Sequence, residues 1–168
     1  MQTVERTVSN DEQYVNFRVG SEQYGIDIQN VQEVIRIPSI TKIPQTLKFI
    51  RGIINLRGNI IPVIDMRERF NQESLDYKET TRVIVIRLKS KLYGLIVDTV
   101  SQVVTLDNKE IAEPPEIIAG ISKEYISGLG KNDDTMIIIL NSDKILSDEE
   151  LRRIRESEND LLHQQELH

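Results

Sequence analysis

The chain contains the sequence YGIDIQNVQEVI at residues 24–35 and a near copy, YGLIVDTVSQVV, at residues 93–104. Both stretches begin with Tyr-Gly, and most of their apolar residues then fall at the same positions without a gap. Upstream of them, Phe17 and Ile86 align at the same offset. A match of this length indicates an internal repeat, to which chance similarity between β-rich segments is the alternative.

The repeat continues further along the chain. Gly52 aligns with Gly128, and residues 60–65 align with residues 136–141 after a short insertion in the later copy. Each copy then has the length for about five short strands. Because an open sheet of this size would expose its edges, closure into a small barrel is the economical arrangement. We therefore predict a mainly β fold in which the two copies form two similar five-stranded β-barrels.

Residue patterns predict where the strands lie. Residues 14–19 alternate between apolar and polar side chains, as a half-buried strand requires. The other predicted strands are β-branched runs of strand length, separated by turn-forming residues: 31–37, 60–64, 83–88, 92–97, 100–106 and 136–140. Pro62 removes one ladder donor, so its strand is expected to be an edge strand or to be bulged there, either to protect the edge or to face a partner.

Three helices are predicted. The C-terminal helix begins at a capping box formed by Ser147 and Glu150, and Leu151 and Ile154 give it a narrow apolar stripe. Beyond about Ser157 we expect the polar tail to fray. The predicted helices are two short connecting ones and the C-terminal one: 46–51, 65–70 and, with its tail, 147–168.

Composition excludes several kinds of function. The 168 residues carry a formal net charge of −6, with 5% aromatic residues and no Trp, which disfavours binding to nucleic acid or to an anionic membrane. There is no Cys, and the two histidines, His163 and His168, lie at the C-terminal end, so a catalytic triad or a Cys or His metal site within the fold is excluded. No paired carboxylates stand out. We therefore expect neither an enzyme nor a bound metal or other cofactor.

Hydropathy favours a cytoplasmic protein without membrane insertion. No stretch approaches the roughly 20 apolar residues of a membrane-spanning helix. The first residues are polar and show no signal-peptide pattern, and we expect residues 1–12 to form a flexible N-terminus.

One turn motif differs between the two copies. The sequence NLRGN at residues 55–59 predicts a hairpin turn that presents Leu56 and Arg57 near its bend. The second copy has the polar turn KNDD, residues 131–134, at the matching place. A solvated turn with an ordinary arginine is the alternative, but the asymmetry indicates a role beyond turning the chain.

Apolar residues also recur at a spacing of three in both copies: Ile28, Val31 and Val34 in the first, and Val97, Val100 and Val103 in the second. They either belong to the core or line an apolar groove between the two halves that suits an amphipathic partner helix. Glu33 lies beside this stripe and is placed to pair with Arg57 or with a cation of a partner. Exposed, such a pair contributes only about 0–1 kcal/mol to stability.

The block IRGIINLRGNIIPVIDMR at residues 50–67, together with residues 24–34 and 94–100, resembles the CheW-like domain family of bacterial chemotaxis coupling proteins. The resemblance implies two SH3/OB-like five-stranded barrels interlocked by strand exchange. It places a single domain at about residues 13–146, with subdomains of about 13–80 and 81–146. Because this length leaves no room for the kinase or receiver domains that accompany the module elsewhere, we expect the stand-alone adaptor.

The resemblance also implies a function without chemistry. Family members join the cytoplasmic tip of a methyl-accepting chemotaxis receptor to the regulatory domain of the histidine kinase CheA, and are thereby recruited to membrane receptor arrays. Glu33 and Arg57 match a polar pair important for coupling. The other matching positions are the receptor-binding groove, Ile28, Val31, Val34, Val100 and Val103; the surrounding motif, Asn55, Leu56 and Gly58; and a kinase-binding surface, Ile37, Ile40 and Ile43.

Two other functions are weighed against the adaptor. Small five-stranded barrels often bind oligonucleotides, but that function needs a basic face with exposed aromatic side chains. A hydrolase would need a carboxylate pair, and the acidic residues Asp107, Glu110, Glu113 and Glu116 look like a solvated loop. The nucleic-acid-binding barrel is the stronger of these alternatives.

Overall fold

The computed structural model describes residues 11–44 and 47–166. The strands within these ranges are β1 (Asp11–Val19), β2 (Glu22–Asp27), β3 (Val31–Arg36), β4 (Ile50–Leu56), β5 (Asn59–Asp65), β6 (Arg82–Leu88), β7 (Lys91–Val97), β8 (Thr99–Asp107), β9 (Ile117–Ile118), β10 (Ile121–Ser122), β11 (Ile126–Asn132) and β12 (Thr135–Leu140). The α-helices are α1 (Met66–Arg69) and α2 (Asp148–Glu166). Short 3-10 turns occupy Ile28–Asn30, Asn108–Glu110, Lys123–Tyr125 and Ser142–Lys144.

Ten of these strands form two five-stranded sheets that exchange strands. One sheet has the order β11-β12-β2-β1-β8 and is called barrel 1; the other has the order β4-β5-β7-β6-β3 and is called barrel 2. Barrel 1 combines the first two strands of the N-terminal copy with three strands of the C-terminal copy. Barrel 2 has the reverse composition. The predicted mainly β fold with interlocked halves is confirmed, although neither barrel coincides with a continuous half of the chain.

The pairing register confirms the repeat. Gly25 on β2 pairs in parallel with β12, and Gly94 on β7 pairs in parallel with β5. Gly52 and Gly128 each follow a register shift, one in the pairing of β4 with β5 and the other in the pairing of β11 with β12. The two copies therefore share strand order, parallel and antiparallel pairing, and the position of a β-bulge.

The described residues form three apolar cores. Each barrel encloses a small one, and the largest cluster, called the shared core, lies between the barrels. On β6, Val83 and Val85 face the core of barrel 2, whereas Ile84 and Ile86 belong to the shared core. Because strands such as β6 are buried on both faces, they read as continuous β-branched runs rather than as alternating patterns.

A polar cluster fixes the crossover from β7 in barrel 2 to β8 in barrel 1. The Asp98 carboxylate accepts hydrogen bonds from Nε and Nη2 of Arg67, at 2.9 and 2.6 Å, and from the Gly20 N–H at 2.8 Å. The Asp98 N–H donates to the backbone oxygen of Arg18 at 3.0 Å. Hydrogen bonding to Asp98 raises the pKa of Arg67 further above its ordinary value. The crossover is thus tied to both barrels by charge-assisted hydrogen bonds.

The C-terminal helix begins as predicted but ends later. The Ser147 N–H donates to Glu150 Oε1 at 2.8 Å and the Glu150 N–H donates to Ser147 Oγ at 3.1 Å, which is the predicted capping box. The prediction that the tail frays beyond Ser157 is wrong, because α2 continues to Glu166. Glu158 is buried and Leu161 packs against the shared core, so the second half of the helix is anchored.

Two other predictions at the chain level are corrected. The helix predicted at 46–51 does not form over its described part: residues 48–49 form a turn and β4 begins at Ile50, while Thr46 lies outside the described residues. Pairing with β5 favours the extended chain over a helix too short to be stable alone. The N-terminal segment predicted to be flexible overlaps β1, which begins at Asp11, and its residues 1–10 lie outside the description.

Pro62 does not lie on an edge strand, because β5 runs between β4 and β7. No register shift occurs at this position. Its antiparallel partner Ile53 instead bonds to Thr41, through N–H and C=O contacts of 2.8 and 2.9 Å. The parallel pairing with β7 begins only at Val63. Neither neighbouring strand therefore requires an N–H donor at Pro62.

Arg69 joins both barrels to the C-terminal helix. Its guanidinium lies 4.7 Å from the ring centroids of both Phe49 and Tyr125. Its Nε donates to the Ile145 backbone oxygen at 2.8 Å, and its Nη2 is 3.4 Å from a Glu150 carboxylate oxygen. The side chain is only 12% exposed, so these contacts are poorly screened by water.

We expect Arg69→Met to lower the free energy of unfolding by about 2 kcal/mol, because methionine keeps the apolar contacts but loses the hydrogen bond and the cation–π contacts. Urea denaturation measures the change. Arg152→Met is the matched control: Arg152 is 57% exposed and its ion pairs lie on the surface of α2, so its loss should change stability by less than about 1 kcal/mol. Equal losses in the two variants would contradict the role of Arg69.

Candidate functional site

The strand β3 turns its valines toward the shared core. In the antiparallel register with β6, Val31 lies opposite Ile86 and Val34 lies opposite Ile84. Both isoleucines belong to the shared core. Because directly opposed residues project from the same face of a sheet, Val31 and Val34 lie on that face as well.

The strand β8 repeats this arrangement in barrel 1. Val100 lies opposite Phe17 and Val103 lies opposite Val15, and both partners again belong to the shared core. Both β3 and β8 are edge strands of their sheets, and each begins directly after a crossover between the barrels. The repeat therefore brings two equivalent edge strands to the junction, with their valines on the shared-core face.

Along each strand, the first valine is half-buried and the next one is exposed. Val31 and Val100, together with Ile28, are half-buried against the shared core, whereas Val34 is 38% exposed and Val103 is 46% exposed. Val97, the remaining member of the sequence pattern, is 1% exposed and is a core residue. Val97 thus fits the interpretation as core, and the groove stays a prediction for the other positions. The apolar positions outside the core are called the junction surface: Ile28, Val31, Val34, Val100 and Val103.

Glu33 and Arg57 form an ion pair on the other face of β3. Glu33 lies opposite Val85, which belongs to the core of barrel 2. Arg57 projects from the turn between β4 and β5, and β3 and β4 are the two edges of the same sheet. The pair therefore bridges the open side of barrel 2. The Arg57 side chain is 66% exposed, which leaves it accessible to a partner.

The motif around Arg57 forms a tight two-residue hairpin turn. Leu56 pairs with Asn59, and the two turn residues between them, Arg57 and Gly58, have φ angles of 51° and 88°. Two positive values in succession are typical of the type I′ turn. The Asn55 side-chain oxygen accepts the Gly58 N–H at 2.8 Å. Leu56 packs against the core of barrel 2, so the turn is held from both sides of its bend.

The counterpart turn in barrel 1 has no such pair. There, Asp133, at φ 56°, takes the place of Arg57, and Gln102 on β8 takes the place of Glu33. The asymmetry between the copies, seen first in the sequence, thus corresponds to an ion pair that barrel 2 has and barrel 1 lacks.

The expected kinase-binding positions differ in accessibility. Ile37 and Ile40 are partly buried and pack against the core of barrel 2. Ile43 is only 7% exposed and belongs to the shared core, so its assignment to a contact surface is wrong. Between them, Thr41 bridges to Ile53 and covers part of the free edge of β4, which draws this segment inward.

The register of β3 and β6 also brings Arg36 directly opposite Arg82, a pairing that the strand patterns do not reveal. The repeat could have predicted this pairing, because the aligned positions in barrel 1, Thr105 and Gln13, are also directly opposed.

Within the described residues, no group of three or more acidic or histidine side chains is arranged to hold a metal ion. No described helix is long and apolar enough to span a membrane.

Comparison with known proteins identifies the family. The model of the CheW-like domain matches residues 13–150. The chain belongs to the CheW-like family. It is 40% identical over 140 residues to the chemotaxis protein CheW of Klebsiella aerogenes, covering 83% of this chain and 84% of that one. It is 31% identical over 151 residues to the CheW of Treponema pallidum, covering 86% and 89%.

A solved CheW structure has the same fold. The crystal structure of the scaffolding protein TtCheW from Thermoanaerobacter tengcongensis matches with a TM-score of 0.76 at 40% sequence identity, over 83% of this chain and 90% of that chain. The CheW-like family and these relatives give no support to the nucleic-acid-binding alternative.

Proposed function

We propose that this chain is a non-catalytic chemotaxis adaptor that couples methyl-accepting chemoreceptors to the histidine kinase CheA. The observation that carries the proposal is the junction surface, an apolar stripe to which both interlocked barrels contribute. The similarity of the chain to proteins named for chemotaxis, one of them a scaffolding protein, supplies the biological setting. The protein would act in the cytoplasm and be recruited to receptor arrays at the membrane.

The junction surface suits one amphipathic helix of a receptor tip. Val34 and Val103 are exposed, and Val31 and Val100 continue the stripe inward to the shared core. A helix that presents apolar residues at helical spacing would cover these side chains and extend the shared core outward. Apolar burial would drive the contact, while polar residues at its edge would set its orientation.

A second surface is needed for the kinase. Ile37 and Ile40 lie on barrel 2 away from the junction face, and we propose that they contact the regulatory domain of CheA. Two separate surfaces would hold receptor and kinase in a fixed relative position. Receptor rearrangement would then change kinase activity only if the adaptor interacts differently with the two receptor states.

Modest affinities fit this role. Dissociation constants near the micromolar range, about −8 kcal/mol for each contact, allow each contact to exchange. Many such contacts in one array add up to a stable assembly without any single tight interface. Reconstitution tests the proposal: adding the protein to receptor-containing membranes and CheA should place kinase autophosphorylation under attractant control. Unchanged phosphorylation with and without the protein would contradict it.

We expect Arg57→Ala to impair coupling far more than folding. The exposed pair with Glu33 contributes less than about 1 kcal/mol to stability, so the melting temperature should fall by only a few degrees. Receptor control of the kinase in the reconstituted system should fall at least about tenfold if Arg57 acts on a partner. A large drop in melting temperature with intact receptor control would instead assign Arg57 a purely structural role.

A further inference from the structure

Two like charges face each other on the outer part of barrel 2. Arg36 on β3 and Arg82 on β6 are directly opposed in the antiparallel register. Like charges in this position repel each other and destabilise a sheet. Both line a surface cleft. Its other lining residues are one further cation, one anion, one apolar side chain and two threonines: Lys78, Glu79, Ile37, Thr80 and Thr81.

The cleft does not neutralise its own cations. No ion pair joins Arg36, Arg82 or Lys78 to an acidic side chain in the described part of the chain, although Glu79 lies in the same lining. Arg82 Nη1 donates to the backbone oxygens of Glu79 and Thr81, at 2.5 and 2.9 Å. These bonds orient one edge of the guanidinium and use no carboxylate.

The repeat shows that this charge pair is not required by the fold. The equivalent register pair in barrel 1 is Gln13 opposite Thr105, which is neutral. The same strand pairing is therefore built without two arginines. In a protein of net charge −6, a local cluster of three cations at one position of one barrel is a specific feature.

We propose that Arg36, Arg82 and Lys78 form a docking surface for a carboxylate-bearing segment of a protein partner. Two neighbouring guanidinium groups can bind carboxylates in bidentate fashion, and a bound carboxylate would relieve their mutual repulsion. Ile37 lies in the same lining, so this inference rests on the proposed function and assigns the acidic segment to the kinase regulatory domain. A long polyanion would extend beyond the cleft and be repelled by the net negative charge of the rest of the chain.

The test grafts the neutral pair of barrel 1 onto barrel 2. The double variant Arg36→Thr/Arg82→Gln should bind the isolated kinase regulatory domain about tenfold more weakly at about 50 mM salt in a calorimetric titration. The difference should shrink at about 300 mM salt, because screening weakens the contact in the unmodified protein.

The matched control adds a second arginine pair on the other barrel and keeps Arg36 and Arg82. Gln13→Arg/Thr105→Arg creates the same opposed pair and should leave binding to the kinase domain unchanged. The docking surface is overturned if Arg36→Thr/Arg82→Gln binds as tightly as the unmodified protein at low salt, or if the arginines instead mediate binding to vesicles containing anionic lipid. If the unmodified protein ignores the kinase domain altogether, the proposed function fails and this surface fails with it.

Discussion

Aspartate at both Val34 and Val103 should weaken binding of a receptor-tip fragment by at least about a hundredfold while the protein stays folded. The two valines are 38% and 46% exposed, so water solvates both carboxylates in the free protein. A docked helix would cover them in an apolar contact, where each unpaired charge pays a desolvation cost. Fluorescence titration with a receptor-tip fragment measures the loss, and circular dichroism confirms folding.

Met136→Asp is the matched control for this experiment. Met136 lies on β12 of barrel 1 and is 42% exposed, so the change adds one carboxylate to a side chain of similar exposure outside the junction surface. It matches in charge either single variant, Val34→Asp or Val103→Asp, which are measured beside it. Its binding should equal that of the unmodified protein. Equal losses in both variants would show a general charge effect, and unchanged affinity in Val34→Asp/Val103→Asp would contradict the junction surface. Val31→Asp is less informative, because Val31 also packs against the shared core.

Gly52→Ala should destabilise the fold by about 3 kcal/mol, the largest stability effect expected from a single methyl group in this chain. Gly52 has a φ of 149°, a backbone conformation that side chains rarely adopt. A Cβ there would lie 2.1 Å from the backbone oxygen of Thr41. That oxygen accepts the Ile53 N–H in the bridge that covers the edge of β4, so it cannot move without breaking this bond. Chemical denaturation measures the change.

Gly120→Ala separates backbone strain from steric clash. Gly120 has a φ of 77°, but a Cβ there meets no atom within 4 Å. We expect a loss of about 1 kcal/mol from the left-handed conformation alone. If Gly52→Ala costs no more than Gly120→Ala, the close approach of the Thr41 segment is not a constraint on the fold.

The repeat made much of the fold predictable, because one strand pattern written twice limits the topologies that bury both copies. The Tyr-Gly pairs at the starts of the two matching stretches and the glycines at the two bulges occupy equivalent positions in the structure. Local patterns failed where tertiary pairing overrides them. Ile50 and Arg51 read as the end of a short helix, yet β5 provides a ladder that makes them a strand.

The candidate site was predictable only in part. The sequence offered Arg57 as one of two partners for Glu33, the other being a cation of a partner protein. The apolar spacing that contains Val34 could be read from the sequence because it recurs in both copies. The sequence could not predict which valine is exposed, since exposure depends on how far each edge strand extends beyond the shared core. Ile43 was misassigned for the same reason: its segment is drawn inward by a bridge to β4 that no local pattern shows.

The most direct test of the account is whether one molecule of the protein binds both partners at once. Analytical ultracentrifugation of the protein with a receptor-tip fragment and the kinase regulatory domain should show a ternary complex. Neither partner should displace the other, because the junction surface and the Ile37–Ile40 region are separate. Displacement of one partner by the other, or failure to bind either, would contradict it.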